Sequence, residues 1–194
     1  MLFTKKKRFS IAEKQIKEEE KDQNGNTLLK INLRYPEITA NKKDPLLISA
    51  EKFYKSFANE LLKYAKEDLK KTALKVYNEN SESFVPFSAC LKYEITYLTE
   101  EFLSVLLTVS VSDGKGEASV SRKAQVWERS FGTKCKPTYF ISKNEFKEAL
   151  DQQGISVSKA RKSMENFLLR EASYECLQES EESILIPYRR DDDK

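Results

Sequence analysis

The chain contains no histidine, and its 194 residues include only three cysteines, five glycines and one tryptophan. Without histidine it lacks the commonest general base, the usual nitrogen ligand of metals, and the Ser/His and Cys/His nucleophile pairs. Cys90, Cys135 and Cys176 are far apart and odd in number, which predicts ordinary reduced thiols. The sequence contains no pair of CxxC motifs, the usual ligand pattern of a structural zinc site. We therefore expect no catalytic residue, no metal site and no cofactor.

Long apolar runs are also missing. No window approaches the roughly 18 consecutive apolar residues that a membrane-spanning helix needs. The N-terminus, MLFTKKKRFSIAEK, places charges where a signal peptide would carry its apolar core. The sequence as written therefore predicts a cytoplasmic protein, or an extracytoplasmic one if the chain is an excised domain.

Charge is abundant but balanced. Charged residues make up 34% of the chain, and 34 Lys and Arg against 31 Asp and Glu give a net charge of +3. Positive and negative residues are interspersed along the chain. This pattern predicts a soluble protein and does not indicate nucleic-acid binding.

Two strands with strict alternation stand at the centre of the chain, in VPFSACLKYEITYLTEEFLSVLLTVSV (85–111). Apolar side chains occupy the odd positions from Val85 to Tyr97 and again from Leu103 to Val111, while Ser, Thr, Lys and Glu fill most positions between them. This period of two predicts an antiparallel hairpin with one apolar face, joined by Leu98–Glu101. A third strand is predicted over residues 118–126, after a turn that contains Gly114 and Gly116.

The N-terminal part predicts a second hairpin and a long helix. Residues 5–22 are charge-rich and predict a solvated end, and Asn24-Gly25 favours a type I′ hairpin turn. A strand follows over Leu29–Tyr35, and we expect Pro36 to end its pairing. Apolar residues at three- and four-residue steps then predict a helix from Ser49 to Tyr77: Phe53, Phe57, Leu61, Ala65, Leu69, Ala73 and Val76.

The C-terminal part predicts two shorter helices. Residues 138–141 are expected as an edge strand or an extended link. Ser142 and Glu145 form a capping box for a helix that Gly154 ends, and a second helix is expected over Ser158–Ser173. Ile184–Tyr188 could add a last strand. The expected fold is α+β, an antiparallel β-sheet with one long helix and two shorter C-terminal helices packed on it, in a single domain over residues 1–194.

Carboxylate pairs are the remaining catalytic possibility, because a glycoside hydrolase needs only two of them. The candidates lie on polar faces or in turns of the predicted strands, where solvated charges are expected. They are Glu94, Glu100, Glu101, Glu117 and Glu128. A non-enzymatic role is favoured.

Several segments resemble, in order, the paired domain families DUF4163 and DUF3298. They are INLRYPEI, EKFYKSFANELLKYA, FVPFSACLKYEITYLTEEFLSVLLTVSVSDGKG and RKAQVWERSFGTKCKPTYFIS. The resemblance assigns residues 1–80, with the N-terminal hairpin and the long helix, to a DUF4163-like half and residues 81–188 to a DUF3298-like half. It implies an antiparallel sheet with helices on one face. Such domains occur in an anti-sigma factor that senses lysozyme, beside peptidoglycan deacetylases, and alone in short clostridial proteins.

The resemblance also marks one candidate contact loop, since relatives carry a glycine-rich turn with a histidine after the strand that ends here at Val111. The corresponding residues, which lack the histidine, are Ser112, Asp113, Gly114, Lys115 and Gly116. The leading hypothesis is a non-enzymatic binding module that recognises a protein or a cell-wall glycan. The alternatives are a lysozyme-recognition domain of an anti-sigma-factor-like sensor and a carboxylate-dependent glycan hydrolase. An unpaired sheet edge would also allow homo-oligomerisation by sheet extension.

Overall fold

The structure is a computed structural model, and it describes residues 9–40, 45, 47–140, 142–152, 167–171 and 184–188. The chain divides into two compact units, each built from separate stretches. The first unit comprises Met1–Lys92 and Val109–Val120, and the second comprises Tyr93–Thr108 and Ser121–Lys194.

Strands β1 to β6 form one sheet in chain order, and β7 and β8 form a separate two-stranded sheet. This mixture of strands and helices confirms the α+β class. Within the described ranges the elements are β1 (Phe9–Lys21), β2 (Thr27–Ala40), α1 (Lys52–Tyr64), α2 (Lys70–Glu79), β3 (Phe87–Leu98), β4 (Phe102–Ser112), β5 (Ser119–Glu128), β6 (Thr133–Lys134), α3 (Lys143–Gln152), β7 (Phe167–Glu171) and β8 (Ile184–Tyr188).

The predicted central hairpin is present as β3 and β4. The expected alternation holds in the first half of β3, where Phe87, Ala89 and Leu91 are buried and Lys92 is exposed. The connections from β3 to β4 and from β4 to β5 are only a few residues long, so these neighbouring strands must run antiparallel.

Strands β2 and β3 pair in parallel, from Leu29 opposite Phe87 to Leu33 opposite Leu91. The expectation of a wholly antiparallel sheet is therefore wrong at this pair. The physical reason is the connection between them. A parallel pair needs a long crossover, usually a helix, and the long helix occupies that position in the chain.

The long helix (residues 47–79) confirms the helix predicted over Ser49–Tyr77. It consists of α1 and α2 with π-helical turns at Leu47–Glu51 and Ala65–Leu69. Its fully or nearly fully buried side chains are mostly small and mostly four residues apart: Ala50, Tyr54, Ala58, Ala65, Leu69 and Ala73. An α-helix has about 3.6 residues per turn, so side chains four residues apart shift gradually around its surface. A wider π turn offsets this shift and keeps them on one side of the helix. No helix among the described residues is long and apolar enough to cross a membrane.

The predicted stripe is confirmed in the second half of the helix, where Ala65, Leu69 and Ala73 are buried, but the buried side is offset from it in the first half. Phe53 and Phe57 are only half-buried, with stacked rings 6.2 Å apart, whereas Tyr54 and Ala58 are fully buried. Small residues at the buried positions leave room for the bulky side chains that β2 contributes, such as Leu33.

Two lysines of the long helix form ion pairs with β1. Lys66 Nζ lies 2.5 Å from Glu18 Oε2, and Lys70 Nζ lies 2.7 Å from Glu20 Oε2. Glu18 pairs with Ile31 of β2, so both side chains are on the sheet face that the helix covers. The hydrogen bond to Glu18 raises the pKa of Lys66. The expectation that residues 5–22 form a solvated end is wrong for 9–21, which are the strand β1.

The β1–β2 hairpin confirms the turn predicted at Asn24-Gly25 but not its type. Five residues separate the strands, and Gly25, at φ 86°, donates its N–H to Asp22 O at 3.2 Å. Asp22 Oδ1 accepts the N–H groups of Asn24 and Asn26 at 2.9 and 2.7 Å. The predicted type I′ turn, with two residues between the strands, is therefore wrong, and a longer connection takes its place.

Strand β2 continues past Pro36 to Ala40, contrary to the expected stop. Pro36 stands opposite Glu13 of β1. Pairing with β3 ends at Leu33, so Pro36 lies where β2 pairs with β1 alone. A residue without an N–H is tolerated at such a position because one side of the strand needs no donor.

A buried polar contact fixes β7 in the second unit. The Thr96 hydroxyl donates to Ser104 Oγ at 2.8 Å, and Leu169 N–H donates to the same oxygen at 3.1 Å. Ser104 is fully buried, although the sequence pattern placed it on the polar face of its strand. Since β7 pairs in parallel with β8, the helix predicted over Ser158–Ser173 is wrong for residues 167–171.

The other C-terminal predictions have mixed outcomes. Ser142 and Glu145 form the expected capping box, with Ser142 N–H donating to Glu145 Oε2 at 2.7 Å and Glu145 N–H donating to Ser142 Oγ at 3.3 Å. These bonds lower the pKa of Glu145. The extended link expected at 138–141 is instead a 3₁₀ turn at Pro137–Tyr139, and β8 confirms the last strand. Gly154 lies outside the described residues.

We predict that Asp22→Ala loosens the first hairpin. The hydrogen bond from the Asn26 side chain, followed by the backbone donors, holds the pKa of Asp22 below its ordinary value of 3.8. A lowered pKa stabilises the fold above pH 3.8, and this contribution is lost as the pH falls through the lowered value. Amide exchange at Asn24 and Asn26 should become faster in the variant, and an NMR titration of the wild-type carboxyl should give the lowered pKa. Gln23→Ala is the control and should exchange as the wild type does.

We predict that Ser104→Ala destabilises the protein by about 1–3 kcal/mol, because the buried Leu169 N–H loses its acceptor. Urea unfolding measures this change. Ser110→Ala, at a half-buried position of the same strand, is the matched control and should change stability less. Equal effects of the two substitutions would contradict a specific role for the buried hydroxyl.

Candidate functional site

The candidate contact loop follows β4 in the first unit. Gly114 N–H donates to Ser112 Oγ at 3.1 Å, and Lys115 N–H donates to Asp113 Oδ1 at 3.0 Å. Hydrogen bonds of this local kind stabilise a turn without help from a regular strand or helix. Asp113, Lys115 and Gly116 are exposed, so the loop presents one charge of each sign to solvent.

The loop rests on the segment that leads into β3. Gly114 has φ 77°, and a Cβ atom built on it would lie 2.5 Å from the carbonyl oxygen of Val85. Only glycine fits this position, because both the backbone conformation and the close approach exclude a side chain. Val85 itself is 49% exposed, so an apolar side chain lies beside the charged residues of the loop.

The first hairpin turn is linked to this segment through Tyr77 of α2. Phe84, next to Val85, packs against Tyr77 of α2 with ring centroids 5.2 Å apart, and against Phe87 at 6.1 Å. The Tyr77 hydroxyl accepts a hydrogen bond from Asn26 Nδ2 at 3.0 Å. The loop, the segment before β3 and the first hairpin turn are thereby linked at one end of the first unit.

We call this region the loop end; it comprises residues 22–26, 80–86 and 112–117. Sequence reasoning identified only residues 112–116 of it. The other parts carry no binding motif, and the one signal that could have found them is the aromatic pair Phe84 and Phe87 at the start of a strand. The exposed groups of the loop end are hydroxyls, amides, carboxylates and one lysine, together with Val85. Such groups suit hydrogen bonding to a polar partner.

The candidate carboxylates of a hydrolase are placed on the surface. Glu94, Glu100 and Glu101 are exposed in the second unit, and Glu117 is exposed in the first. Glu128 is half-buried, and its Oε1 accepts the N–H of Ser130 at 3.2 Å.

The cysteines within the described part of the chain have the features of ordinary thiols. Cys90 and Cys135 are free and half-buried. Burial, reinforced by the charge of Glu128, raises the pKa of Cys135 to about 11. Since the thiolate is the nucleophilic form, the raised pKa lowers the reactivity of Cys135 at neutral pH. Among the described residues no group of three or more Cys, Asp or Glu side chains is placed to hold a metal ion.

Comparison with known proteins gives structural similarities only. No protein-family model matches the chain, and no curated protein matches it. The structure is similar to a DUF3298 family protein from Bacteroides fragilis NCTC 9343, with a TM-score of 0.49 and 14% identity, over 80% of this chain and 73% of that one. It is also similar to a DUF3298 family protein from Pseudomonas aeruginosa PAO1, with a TM-score of 0.43 and 9% identity, over 75% of this chain and 65% of that one.

We predict that Gly114→Ala destabilises the protein by roughly 2–4 kcal/mol, because the new methyl group meets the Val85 carbonyl and the left-handed backbone is strained. Gly116→Ala is the matched control. It lies in the same loop, where an added Cβ has no neighbour within 4 Å. Thermal unfolding of the two variants measures the difference. If both variants melt alike, the loop does not rest on Val85 in solution.

Proposed function

We propose that the protein is a non-enzymatic binding module that contacts a protein or a cell-wall glycan through the loop at residues 112–116. The observation that carries the proposal is the way the loop is held. Two side-chain acceptors within the loop and the close approach of Gly114 to Val85 restrict the conformation of the loop before any partner binds. A preorganised loop loses little conformational entropy on binding.

The composition of the exposed surface supports the same proposal. Asp113 and Lys115 offer charged hydrogen-bonding groups, and the half-exposed Val85 offers an apolar contact beside them. Interfaces commonly combine an apolar centre with a polar rim. The sequence resemblance to DUF4163 and DUF3298, which occur beside sensors and cell-wall enzymes, suggests the two probe classes: soluble peptidoglycan fragments and lysozyme.

The test is a titration of the purified chain with each probe by calorimetry. We expect saturable binding of one probe, and at least about tenfold weaker binding by Lys115→Glu, since the reversed charge removes a contact and adds repulsion. Lys75→Glu is the matched control, because Lys75 is an exposed lysine of α2 in the same unit. It should bind as the wild type does.

Two outcomes would contradict the proposal. One is the absence of saturable binding of both probes at concentrations up to about 50 µM. The other is saturable binding that Lys115→Glu and Lys75→Glu weaken equally, since the loop would then have no special part in recognition.

A further inference from the structure

The turn of the first hairpin contains Asn24-Gly25, and Asn24 is the only asparagine of the chain that precedes a glycine. Both residues are exposed. The side-chain amide of Asn24 makes no hydrogen bond to any residue that the structure describes. The side chain of Asn26 in the same turn, by contrast, donates to Asp22 Oδ2 and to the Tyr77 hydroxyl. The Asn24 amide is therefore unrestrained and open to water.

The backbone nitrogen of Gly25 lies next to this amide in the chain and is weakly held. Gly25 has no Cβ, and a Cβ built on it would meet no atom within 4 Å. Its N–H donates to Asp22 O at 3.2 Å, the long end of the range for such a bond. Glycine is also the residue whose own side chain hinders its nitrogen least, because it has none.

An asparagine amide and the backbone nitrogen that follows it are the reactants of deamidation. The Gly25 nitrogen gives its proton to water and attacks Cγ of Asn24, which closes a succinimide ring. The Cγ–Nδ2 bond breaks, and Nδ2 leaves with a proton as ammonia. Water then adds to either ring carbonyl, and the ring opens to aspartate or to isoaspartate. Water is consumed, ammonia is released and nothing is oxidised or reduced. This lability makes asparagine one of the thermolabile residues.

Asp22 opposes the reaction because it holds the turn closed. Its Oδ1 accepts the N–H groups of Asn24 and Asn26 at 2.9 and 2.7 Å, and its carbonyl oxygen accepts the N–H of the attacking Gly25 nitrogen. The turn must open locally before that nitrogen can attack, so the rate follows the population of the open turn. Asp22 is thus a positioning residue that slows deamidation.

We propose that Asn24 is a site of spontaneous deamidation and that Asp22 sets its rate through the hydrogen bonds of the turn. The product adds a carboxylate to a turn whose hydrogen bonds converge on the carboxylate of Asp22. Isoaspartate also inserts an extra carbon atom into the backbone between Asp22 and Asn26, which disrupts these bonds. The modification therefore loosens the β1–β2 hairpin. It does not depend on recognition through residues 112–116.

The first test is incubation of the full chain at physiological pH and temperature, followed by peptide mapping with mass spectrometry. We expect deamidation at Asn24, with isoaspartate detected by methylation with an isoaspartyl methyltransferase. Asn80 is the internal control, because it is also exposed but precedes Ser81, whose side chain hinders the backbone nitrogen. It should react several-fold more slowly. An unmodified Asn24, or one that reacts no faster than Asn80, overturns the proposal.

The second test isolates the part of Asp22. A hydrogen bond contributes about 0.5–1.5 kcal/mol, so Asp22→Ala should accelerate deamidation of the folded chain about two- to tenfold. Gln23→Ala is the matched control and should react as the wild type does. Peptides of residues 20–28 with and without Asp22→Ala serve as unfolded references and should react at equal rates. If Asp22→Ala leaves the rate of the chain unchanged, or accelerates the peptide equally, Asp22 does not act through the turn.

Discussion

The close docking of the long helix on β2 is the constraint on which the first unit depends. The buried helix positions are largely alanine, so the helix backbone can approach the strand while leucine and isoleucine side chains fill the space between them. The same helix returns the chain to the end of the sheet where β2 begins, so β3 starts beside the start of β2 and runs parallel to it. The ion pairs of Lys66 and Lys70 with β1 then hold the edge strand to the helix, with a smaller energetic effect because they are partly exposed.

In the second unit, hydrogen bonds from polar side chains hold neighbouring segments in place. A buried serine hydroxyl accepts the backbone N–H of Leu169 and so sets the position of β7. Arg129, bonded to two carbonyl oxygens, sets one turn against another. Hydrogen bonds are directional, and a buried donor without an acceptor is costly. Such contacts therefore favour one arrangement of neighbouring segments more strongly than apolar contacts of similar area.

Much of the fold could be predicted from local patterns. Alternation located β3, β4 and β5, helical spacing located the long helix, and the Ser142–Glu145 pair located the start of α3. What failed depends on distant residues. The alternation of β2 is the same whether its neighbour is parallel or antiparallel, so the pairing with β3 could not be read from it. Phe167 and Leu168 fit a helical spacing with residues before them, but their pairing partners are Ile184 and Leu185 in β8.

The candidate site shows the same division between local and distant information. The glycine-rich turn is visible in the sequence, and its resemblance to a family loop marked residues 112–116. Its contact with Val85, far away in sequence, is visible only in the structure. The exposure of Phe131 could not be predicted from the sequence either, because phenylalanine side chains are usually buried in the core.

The parallel pairing of β2 with β3 has a consequence for the order of folding. The β1–β2 and β3–β4 hairpins join near neighbours in the chain, and such contacts form on the microsecond timescale. Pairing Leu29 with Phe87 closes a much longer loop of chain, which includes the whole helix. The chain loses the conformational entropy of closing this loop before the strand contacts stabilise it. The hairpins and the helix should therefore form early, and the union of β2 with β3 should limit the folding rate. Until then the inner edges of both strands are unpaired, so association of partly folded chains would begin there.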